Sequence, residues 1–171
     1  MLDEFLQPVF ITVGQHLGAE KFYKYFEAFG FTEKTGIDLP SETAPVEGRS
    51  YHTLKQLGIV ELASSSFGQT FETTAIQMLT AVNTIANGGK MVAPRFVKAV
   101  MKDGVVIKEF DPVVLREQIA KESTIKKITT ILEHVVSQGL GKKAGSPSFL
   151  VAGRPERLRS RKEPPAIRAD R

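Results

Sequence analysis

Residues 64–94 read SSSFGQTFETTAIQMLTAVNTIANGGKMVAP, and this stretch carries the most regular pattern in the 171-residue chain. A Ser- and Gly-rich bend comes first. Apolar residues then recur at helical spacing through residues 71–86. Asn87, Gly88 and Gly89 follow, and residues of these types end helices because they adopt left-handed conformations. The pattern predicts a buried helix of about four turns whose core-facing stripe consists of Ala75, Met78, Leu79, Val82, Ile85 and Ala86.

Two further helices are predicted upstream. Residues 8–17 begin with Pro, which suits a first helical turn, and place Phe10, Val13 and Leu17 on one face. Residues 18–31 have a stop at Gly30 and an aromatic stripe that predicts core packing, not a ligand-binding box. That stripe consists of Phe22, Tyr25, Phe26 and Phe29.

Residues 32–48 lack any period and predict a loop, and residues 53–69 carry a short apolar segment into the Ser/Gly bend. Residues 91–112 alternate as a strand pair does, and Lys102-Asp103-Gly104 is their predicted turn. Residues 117–141 predict a helix capped by Ser123 or Thr124. Its inward side chains are predicted to be Ile128, Ile131, Leu132, Val135 and Val136. Residues 141–153 then predict a loop leading into a strand.

Charge is distributed unevenly along the chain. The formal net charge of +4 lies entirely in residues 154–171, which hold seven basic and three acidic residues. Residues 1–153 are neutral, so they give no electrostatic reason to expect a nucleic acid or an anionic membrane as partner. Residues 154–171 offer little to bury and predict a disordered basic tail.

Several classes of site and location are disfavoured by composition. Cysteine is absent, which excludes disulfides, thiolate metal sites and a Cys nucleophile. His16, His52 and His134 are widely spaced and predict surface or loop histidines, so no metal or cofactor is expected. The first residues form no export signal, and no apolar run approaches the roughly 20 residues of a membrane span. As written, the chain is expected to remain in the cytoplasm.

Four segments, in order and spacing, resemble the transpeptidase domain of class B penicillin-binding proteins, most closely the sporulation-specific, stage V type. They are residues 8–15 (PVFITVGQ), 29–42 (FGFTEKTGIDLPSE), 64–94 and 141–153 (GKKAGSPSFLVAG). The pairing of SFGQ with a TxxQM…AxxxIANGG helix is the most specific element. The resemblance implies a mixed α/β chain, a C-terminal-half fragment of the penicillin-binding/β-lactamase-like transpeptidase fold. It would be mostly helical with one β-hairpin, and residues 1–153 would form the partial domain.

The resemblance also implies an activity for the intact parent protein. Such enzymes cross-link peptidoglycan stem peptides through an acyl-serine intermediate, and β-lactams acylate the same serine. The serine lies in an S-x-x-K motif, assisted by an S-x-N motif and by a K-T-G motif that binds the substrate carboxylate. The parent would be membrane-anchored and would act at the extracytoplasmic face of the cell membrane.

None of the three motifs stands at its expected place in this chain. Ser123 and Lys126 have S-x-x-K spacing but lie downstream of SFGQ, which predicts a helix cap beside a solvated lysine. The S-x-N position before residue 8 holds Phe5-Leu6-Gln7. The K-T-G position after Gly153 holds Arg154-Pro155-Glu156. We therefore expect no catalytic residue in this chain, and whether it is an enzyme stays open.

Two other stretches contain catalytic residue types without the right context. Lys34-Thr35-Gly36 lies in the predicted loop, where Thr35 and Gly36 are expected to shape a turn and not to bind a carboxylate. Ser64, Ser65 and Ser66 precede the SFGQ bend without a G-x-S-x-G pattern, so no nucleophile elbow is expected.

The two lost motifs share one explanation. With suitable codons, one added C before the codon of Val9 restores Ser-Cys-Asn-Pro, and one added A after Gly153 restores Gly-Lys-Thr-Gly-Thr-Ala-Gln-Lys. Residues 154–171 are then expected to be out-of-frame translation. The alternatives are a non-catalytic interaction domain of the same fold, a soluble α/β chain with a disordered tail, or a small nucleic-acid-binding protein acting through its Arg-rich end.

Overall fold

A computed structural model describes residues 6–139, 142–146 and 151–153. The helices are α1 (Leu6–Leu17), α2 (Ala19–Ala28), α3 (Ile59–Ser66), α4 (Ala75–Ala86) and α5 (Glu122–Ser137). The strands are β1 (Met91–Val92), β2 (Ala99–Lys102), β3 (Val105–Glu109) and β4 (Val114–Arg116), and a 3-10 turn spans Lys142–Ala144. The chain forms two compact units, one ending at Lys126 and the next beginning at Lys127, so the division lies within α5.

The strands form two antiparallel pairs. In the β2–β3 hairpin, Lys102 pairs with Val105 across Asp103 and Gly104, whose φ angles are 51° and 81°. Positive φ at both central residues suits the twist of a two-residue hairpin, so the predicted turn is confirmed. The β1–β4 pair, in which Met91 lies opposite Arg116, was not predicted. Its strands are only two and three residues long and lie far apart in sequence, so no periodicity marks them.

Helix α4 is capped by Thr74 and Gln77 at its start, and it ends before Asn87, Gly88 and Gly89. The Thr74 hydroxyl accepts a hydrogen bond from the Gln77 backbone N–H at 3.2 Å, and the Gln77 side-chain oxygen accepts one from the Thr74 N–H at 3.0 Å. This reciprocal capping box satisfies two donors that a helix start leaves free. At the other end, Gly88 and Gly89 have φ angles of 71° and 98°, as predicted for the stop. The helix has 12 residues, so it is shorter than predicted.

The faces of α4 are reversed relative to the prediction. The buried side chains are Gln77, Thr80, Ala81 and Thr84, whereas Met78, Leu79 and Val82 of the predicted stripe are 42%, 62% and 54% exposed. Burying the threonines is tolerable because their hydroxyls donate to helix carbonyls one turn earlier, at 2.8 Å in both cases. The prediction that the stripe faces the core is therefore wrong for this chain. Other elements of the chain pack against the face of α4 that carries Gln77, Thr80 and Thr84.

Helices α1 and α3 pack closely through a glycine. A Cβ built on Gly14 would lie 1.8 Å from the Ser66 Oγ and 2.7 Å from its Cβ, so only glycine allows this approach. Helix α3 itself was predicted only as an apolar segment entering a bend. Its serines take part in the helix because the Ser64 and Ser66 hydroxyls donate to the carbonyls of Val60 and Leu62.

Aromatic rings form a cluster beside α2. Phe26 lies at its centre, with ring centroids 5.0 Å from Phe31, 5.3 Å from Phe71, 5.8 Å from Tyr51 and 6.3 Å from Phe22. Such separations suit offset or edge-on packing. The core prediction holds for Phe22, Phe26 and Phe29, which are half-buried, whereas Tyr25 is 43% exposed.

Helix α5 begins one residue before its predicted caps. It starts at Glu122, so Ser123 and Thr124 both lie in its first turn and neither is the capping residue. Val136 is buried, and the other predicted inward residues are half-buried except Ile131, which is 61% exposed. The strand predicted at the end of residues 141–153 lies largely outside the described residues, and residues 151–153 form none. The predicted tail, residues 154–171, also lies outside them.

Candidate functional site

The Ser-rich bend after α3 is held by its own hydroxyls. The Ser64 and Ser65 Oγ atoms lie 3.1 and 3.2 Å from the Thr70 Oγ1. The Gly68 and Gln69 N–H groups donate to the Ser65 and Ser64 carbonyls, each at 3.0 Å, which closes the helix end. Every side chain that resembles a nucleophile here has a structural partner, and no imidazole or lysine is among the partners recorded for these hydroxyls.

The tripeptide Lys34-Thr35-Gly36 lies in the loop after α2, as predicted, but it does bind a carboxylate. The Thr35 N–H and hydroxyl both donate to Glu42 Oε1 at 2.6 Å, and the Gly36 N–H donates to Glu42 Oε2 at 3.1 Å. The prediction that these residues shape a turn and bind no substrate carboxylate stays a prediction, because Glu42 belongs to the same loop. Burial raises the pKa of Glu42, but the hydrogen bonds from Thr35 and Gly36 outweigh it, so the net pKa is lowered.

A second carboxylate of the same loop fixes a distant segment. Asp38 accepts hydrogen bonds from the Phe96 N–H at 2.7 Å and from the Val97 N–H at 2.9 Å. These bonds, with the Phe96 contact first, lower the pKa of Asp38. The loop thus holds the chain immediately before β2, 58 residues away along the sequence.

The Ser123–Lys126 pair has S-x-x-K spacing without the chemistry. The Lys126 ammonium lies 2.7 Å from the Glu122 carboxylate, and that contact raises the pKa of Lys126. A lysine that serves as a base must lose its proton near neutral pH, which requires a lowered pKa. Here the lysine is an exposed partner in an i,i+4 ion pair, and Ser123 is exposed as well. The pair has no catalytic geometry.

The structure describes little of the positions where the family's other two motifs would stand. Gln7 is exposed in the first turn of α1, while Phe5 and the side chain of Leu6 lie outside the described residues. Arg154, Pro155 and Glu156 lie outside them as well. The expectation of no catalytic residue therefore stays a prediction.

A groove borders the aromatic cluster. It has a cavity volume of about 360 Å³, and its walls include Leu17, Phe22, Phe29 and Phe71. Among the described residues that line the groove, Ser65 and Tyr25 are polar and uncharged, and the others are apolar. The groove lacks the converging charged groups that a substrate site of acyl transfer requires.

The histidines and acidic residues form no metal site in the parts of the chain that the structure describes. His16 and His134 are exposed on α1 and α5, and His52 is half-buried in a loop, so all three match the prediction of surface or loop histidines. Among the described residues, none of the helices is long and apolar enough to cross a membrane.

Most of the chain matches one known protein family. The family model described as the penicillin-binding protein transpeptidase domain matches residues 7–154. The chain belongs to this family, and its solved structural neighbours are class B penicillin-binding proteins.

Two curated relatives give the similarity in detail. The chain is 37% identical to Stage V sporulation protein D of Bacillus subtilis over 150 residues, which is 86% of this chain and 22% of that protein. It is 31% identical over 156 residues to penicillin-binding protein PbpB of Mycobacterium tuberculosis, 84% of this chain and 22% of that protein. The chain thus spans about a fifth of the length of these relatives.

Solved structures show that the backbone follows the same fold. Penicillin-binding protein 3 of Mycobacterium tuberculosis, complexed with aztreonam, matches with a TM-score of 0.68 at 29% identity. That match covers 81% of this chain and 31% of the solved chain. The D,D-transpeptidase domain from Eggerthella lenta matches with a TM-score of 0.70 at 25% identity, over 85% and 38% of the two chains. The predicted mixed α/β transpeptidase fold is confirmed.

The residues that sequence reasoning missed are the acceptors of the loop after α2. The sequence assigned no role to Glu42 or Asp38, which lie in the segment 29–42. Their contacts with Thr35 and with Phe96 were not predicted. A partial signal existed, because an acid a few residues beyond a Thr-Gly turn can reach back to its free N–H groups, but Asp38 and Glu42 both fit that description. No local signal connects Asp38 with residue 96.

Proposed function

We propose that the chain is one part of a class B D,D-transpeptidase domain and performs no acyl transfer by itself. The whole protein would cross-link peptidoglycan stem peptides through an acyl-serine intermediate and would bind β-lactams. The family match, and solved relatives complexed with aztreonam and ampicillin, support this assignment. The similarity to a stage V sporulation protein favours a role in spore formation.

The reversed faces of α4 are the observation that carries this proposal. A helix with buried Thr80 and Thr84 and exposed Met78, Leu79 and Val82 presents its apolar stripe to solvent. An apolar stripe of this kind gains free energy only when another layer covers it. Since the chain covers 31% of a solved relative, the remaining part of such a domain is the natural cover.

The lack of activity follows from the chemistry of the residues present. Acylation needs a serine next to a base of lowered pKa and a group that binds the substrate carboxylate. The lysine at S-x-x-K spacing from Ser123, Lys126, is a charged partner of Glu122 with a raised pKa. The donors of Thr35 and Gly36 are occupied by Glu42, and the N–H groups of Phe96 and Val97 are occupied by Asp38.

Location and partners follow from the whole protein. It would be anchored to the cell membrane and act at the extracytoplasmic face, where peptidoglycan lies. Nucleic acid is not proposed as a partner, because residues 1–153 carry no net charge. The basic residues of 154–171 are interleaved with three acidic residues, and this segment has no aromatic side chain on which a base could stack. A non-catalytic interaction domain of the same fold is a second candidate, since the exposed stripe of α4 would also suit a protein partner.

A change of reading frame accounts for the edges of the family match. The match begins at Gln7 and ends at Arg154, which are the two positions where a single lost base would remove S-x-N and K-T-G. Residues 1–153 would then be the partial domain, and residues 154–171 an out-of-frame addition. The codons test this: Gln7 must be CAA, and Arg154 must be AGA, because AGG would give Lys-Ala in place of Lys-Thr. A CAG at Gln7 or a CGN codon at Arg154 overturns it.

A fluorescent penicillin tests the functional proposal. The purified chain should show no covalent label after denaturing electrophoresis, while the Eggerthella lenta transpeptidase domain, labelled in parallel, serves as the positive control. A denaturation-resistant label on this chain would contradict the proposal. Ser123→Ala would then show whether that hydroxyl is the nucleophile.

A further inference from the structure

The loop between α2 and α3 contains a carboxylate that three donors hold on both oxygens. The Thr35 N–H and hydroxyl converge on Glu42 Oε1, each at 2.6 Å, and the Gly36 N–H reaches Oε2 at 3.1 Å. Two successive backbone N–H groups and one hydroxyl thus point to one small region. Bonds of this kind to a charged acceptor are shorter and stronger than neutral ones.

The donors form a built site and not a chance surface contact. Thr35 is only 3% exposed with Glu42 in place, and its hydroxyl is one of the three donors to that carboxylate. Gly36 has a φ of 73°, and successive N–H groups at such a left-handed residue form a concave anion-binding nest. Lys34 is the charged neighbour that faces Glu42, and its positive field favours an anion there.

We propose that Thr35 and Gly36 form a carboxylate-binding site in which Glu42 is a tethered ligand, so that a free monocarboxylate such as acetate or formate binds there when Glu42 is removed. The site recognises a planar group with two acceptor oxygens, because its donors divide between Oε1 and Oε2. Its occupation closes residues 35–42 into a loop. This recognition is separate from acyl transfer, and its tests involve no acylation.

Chemical rescue of Glu42→Ala tests the site directly. Removing the side chain leaves the buried Thr35 hydroxyl without its acceptor, so the melting temperature should fall. Sodium acetate should raise it again along a saturating curve, whereas sodium chloride at equal ionic strength should not. The wild-type chain should show no saturating response, because Glu42 already fills the site. The double variant Thr35→Val with Glu42→Ala, which lacks the hydroxyl donor, should also show none.

Two outcomes of the rescue experiment would overturn the proposal. One is an equal response of Glu42→Ala to acetate and chloride, which would mean that only ionic strength acts. The other is a saturating acetate response that persists in the double variant, which would place acetate elsewhere.

A second measurement on the wild-type chain decides the matter even if Glu42→Ala does not fold. In an NMR pH titration, the amide protons of Thr35 and Gly36 should shift with one shared midpoint below the usual range for glutamate. Glu42→Gln, which keeps the shape and one acceptor oxygen, should abolish the shared transition. Amides that do not titrate together, or that follow an ordinary glutamate midpoint, contradict a carboxylate held at this site.

Discussion

The Gln77 side-chain amide donates to the backbone carbonyl of Glu33, 44 residues earlier in the chain, at 2.9 Å, and it also reaches the Gly30 carbonyl at 3.3 Å. The oxygen of the same side chain caps α4 by accepting from Thr74. One buried glutamine therefore joins the start of α4 to the chain that leaves α2. This gives a physical reason for the T-x-x-Q-M pattern at residues 74–78 of this chain.

Gln77→Ala should destabilise the chain by about 1–3 kcal/mol, because it leaves two carbonyls and a helix start without their partner. Urea unfolding measures the loss. Gln69→Ala, which changes an exposed side chain of the same type, is the matched control and should alter the free energy of unfolding by less than about 0.5 kcal/mol. Equal effects of the two changes would show that the bridge contributes nothing.

Gly14→Ala should destabilise the contact between α1 and α3 by about 1–3 kcal/mol, as overpacking does. The new Cβ would overlap the Ser66 side chain, which must move. Ser66→Gly in the same chain should recover part of the loss, and this non-additivity is the specific sign of the contact. Val13→Ala, at a 58% exposed neighbour, is the control for a small change on α1. Additive effects of Gly14→Ala and Ser66→Gly would contradict the close approach.

The reversed faces of α4 make charge substitutions strongly dependent on position. Leu79→Glu should leave the free energy of unfolding within about 0.5 kcal/mol of the wild type, because the side chain is 62% exposed. Ala81→Glu should cost roughly 3–5 kcal/mol, since it buries a charge without a partner. Leu79→Glu should also reduce self-association in sedimentation experiments, as it interrupts an exposed apolar patch. The opposite order of stabilities would mean that the predicted apolar face is the buried one after all.

Acid should weaken the attachment of the loop after α2 to the segment before β2. The pKa of Asp38 is lowered by the hydrogen bonds from Phe96 and Val97. A group with a lowered folded-state pKa contributes stability above its unfolded pKa and loses it as the pH falls through the folded value. The stability difference between wild type and Asp38→Asn should therefore shrink below the ordinary aspartate range. Asp111→Asn, at an exposed position, is the control, and a difference that grows on acidification would contradict the assignment.

Local patterns predicted those elements whose causes are local. The Asp103-Gly104 turn and the stop at Gly88 and Gly89 depend on residues that tolerate positive φ, and both are found as predicted. The β1–β4 pair and the Asp38 contact could not be predicted, because each joins segments distant in sequence and at least one partner in each is a backbone group that every residue possesses. Helix α3 was missed since its second half contains a run of three serines, a residue type that favours caps and turns over helix interiors.

The prediction of which face of α4 is buried was wrong for a different reason. Apolar periodicity indicates which face a helix buries in a complete fold, and the stripe through Leu79 and Val82 is a strong signal of that kind. The elements present in this chain lie on the side of Thr80 and Thr84. The prediction that the chain has no catalytic residue came from where the family's motifs should stand. Neither composition nor spacing alone distinguishes Ser123–Lys126 from an S-x-x-K motif. The ion pair between Glu122 and Lys126 makes that distinction.

The solvent access of two positions on α4 tests the central claim most directly. The chain has no cysteine, so single variants Leu79→Cys and Ala81→Cys each report on one site through the rate of thiol modification. We expect the thiol at position 79 to react nearly as fast in the native chain as in urea, and the thiol at position 81 to react orders of magnitude more slowly until the chain unfolds. Protection at position 79 together with fast reaction at position 81 would contradict it, because the apolar stripe would then be covered without any further part of the domain.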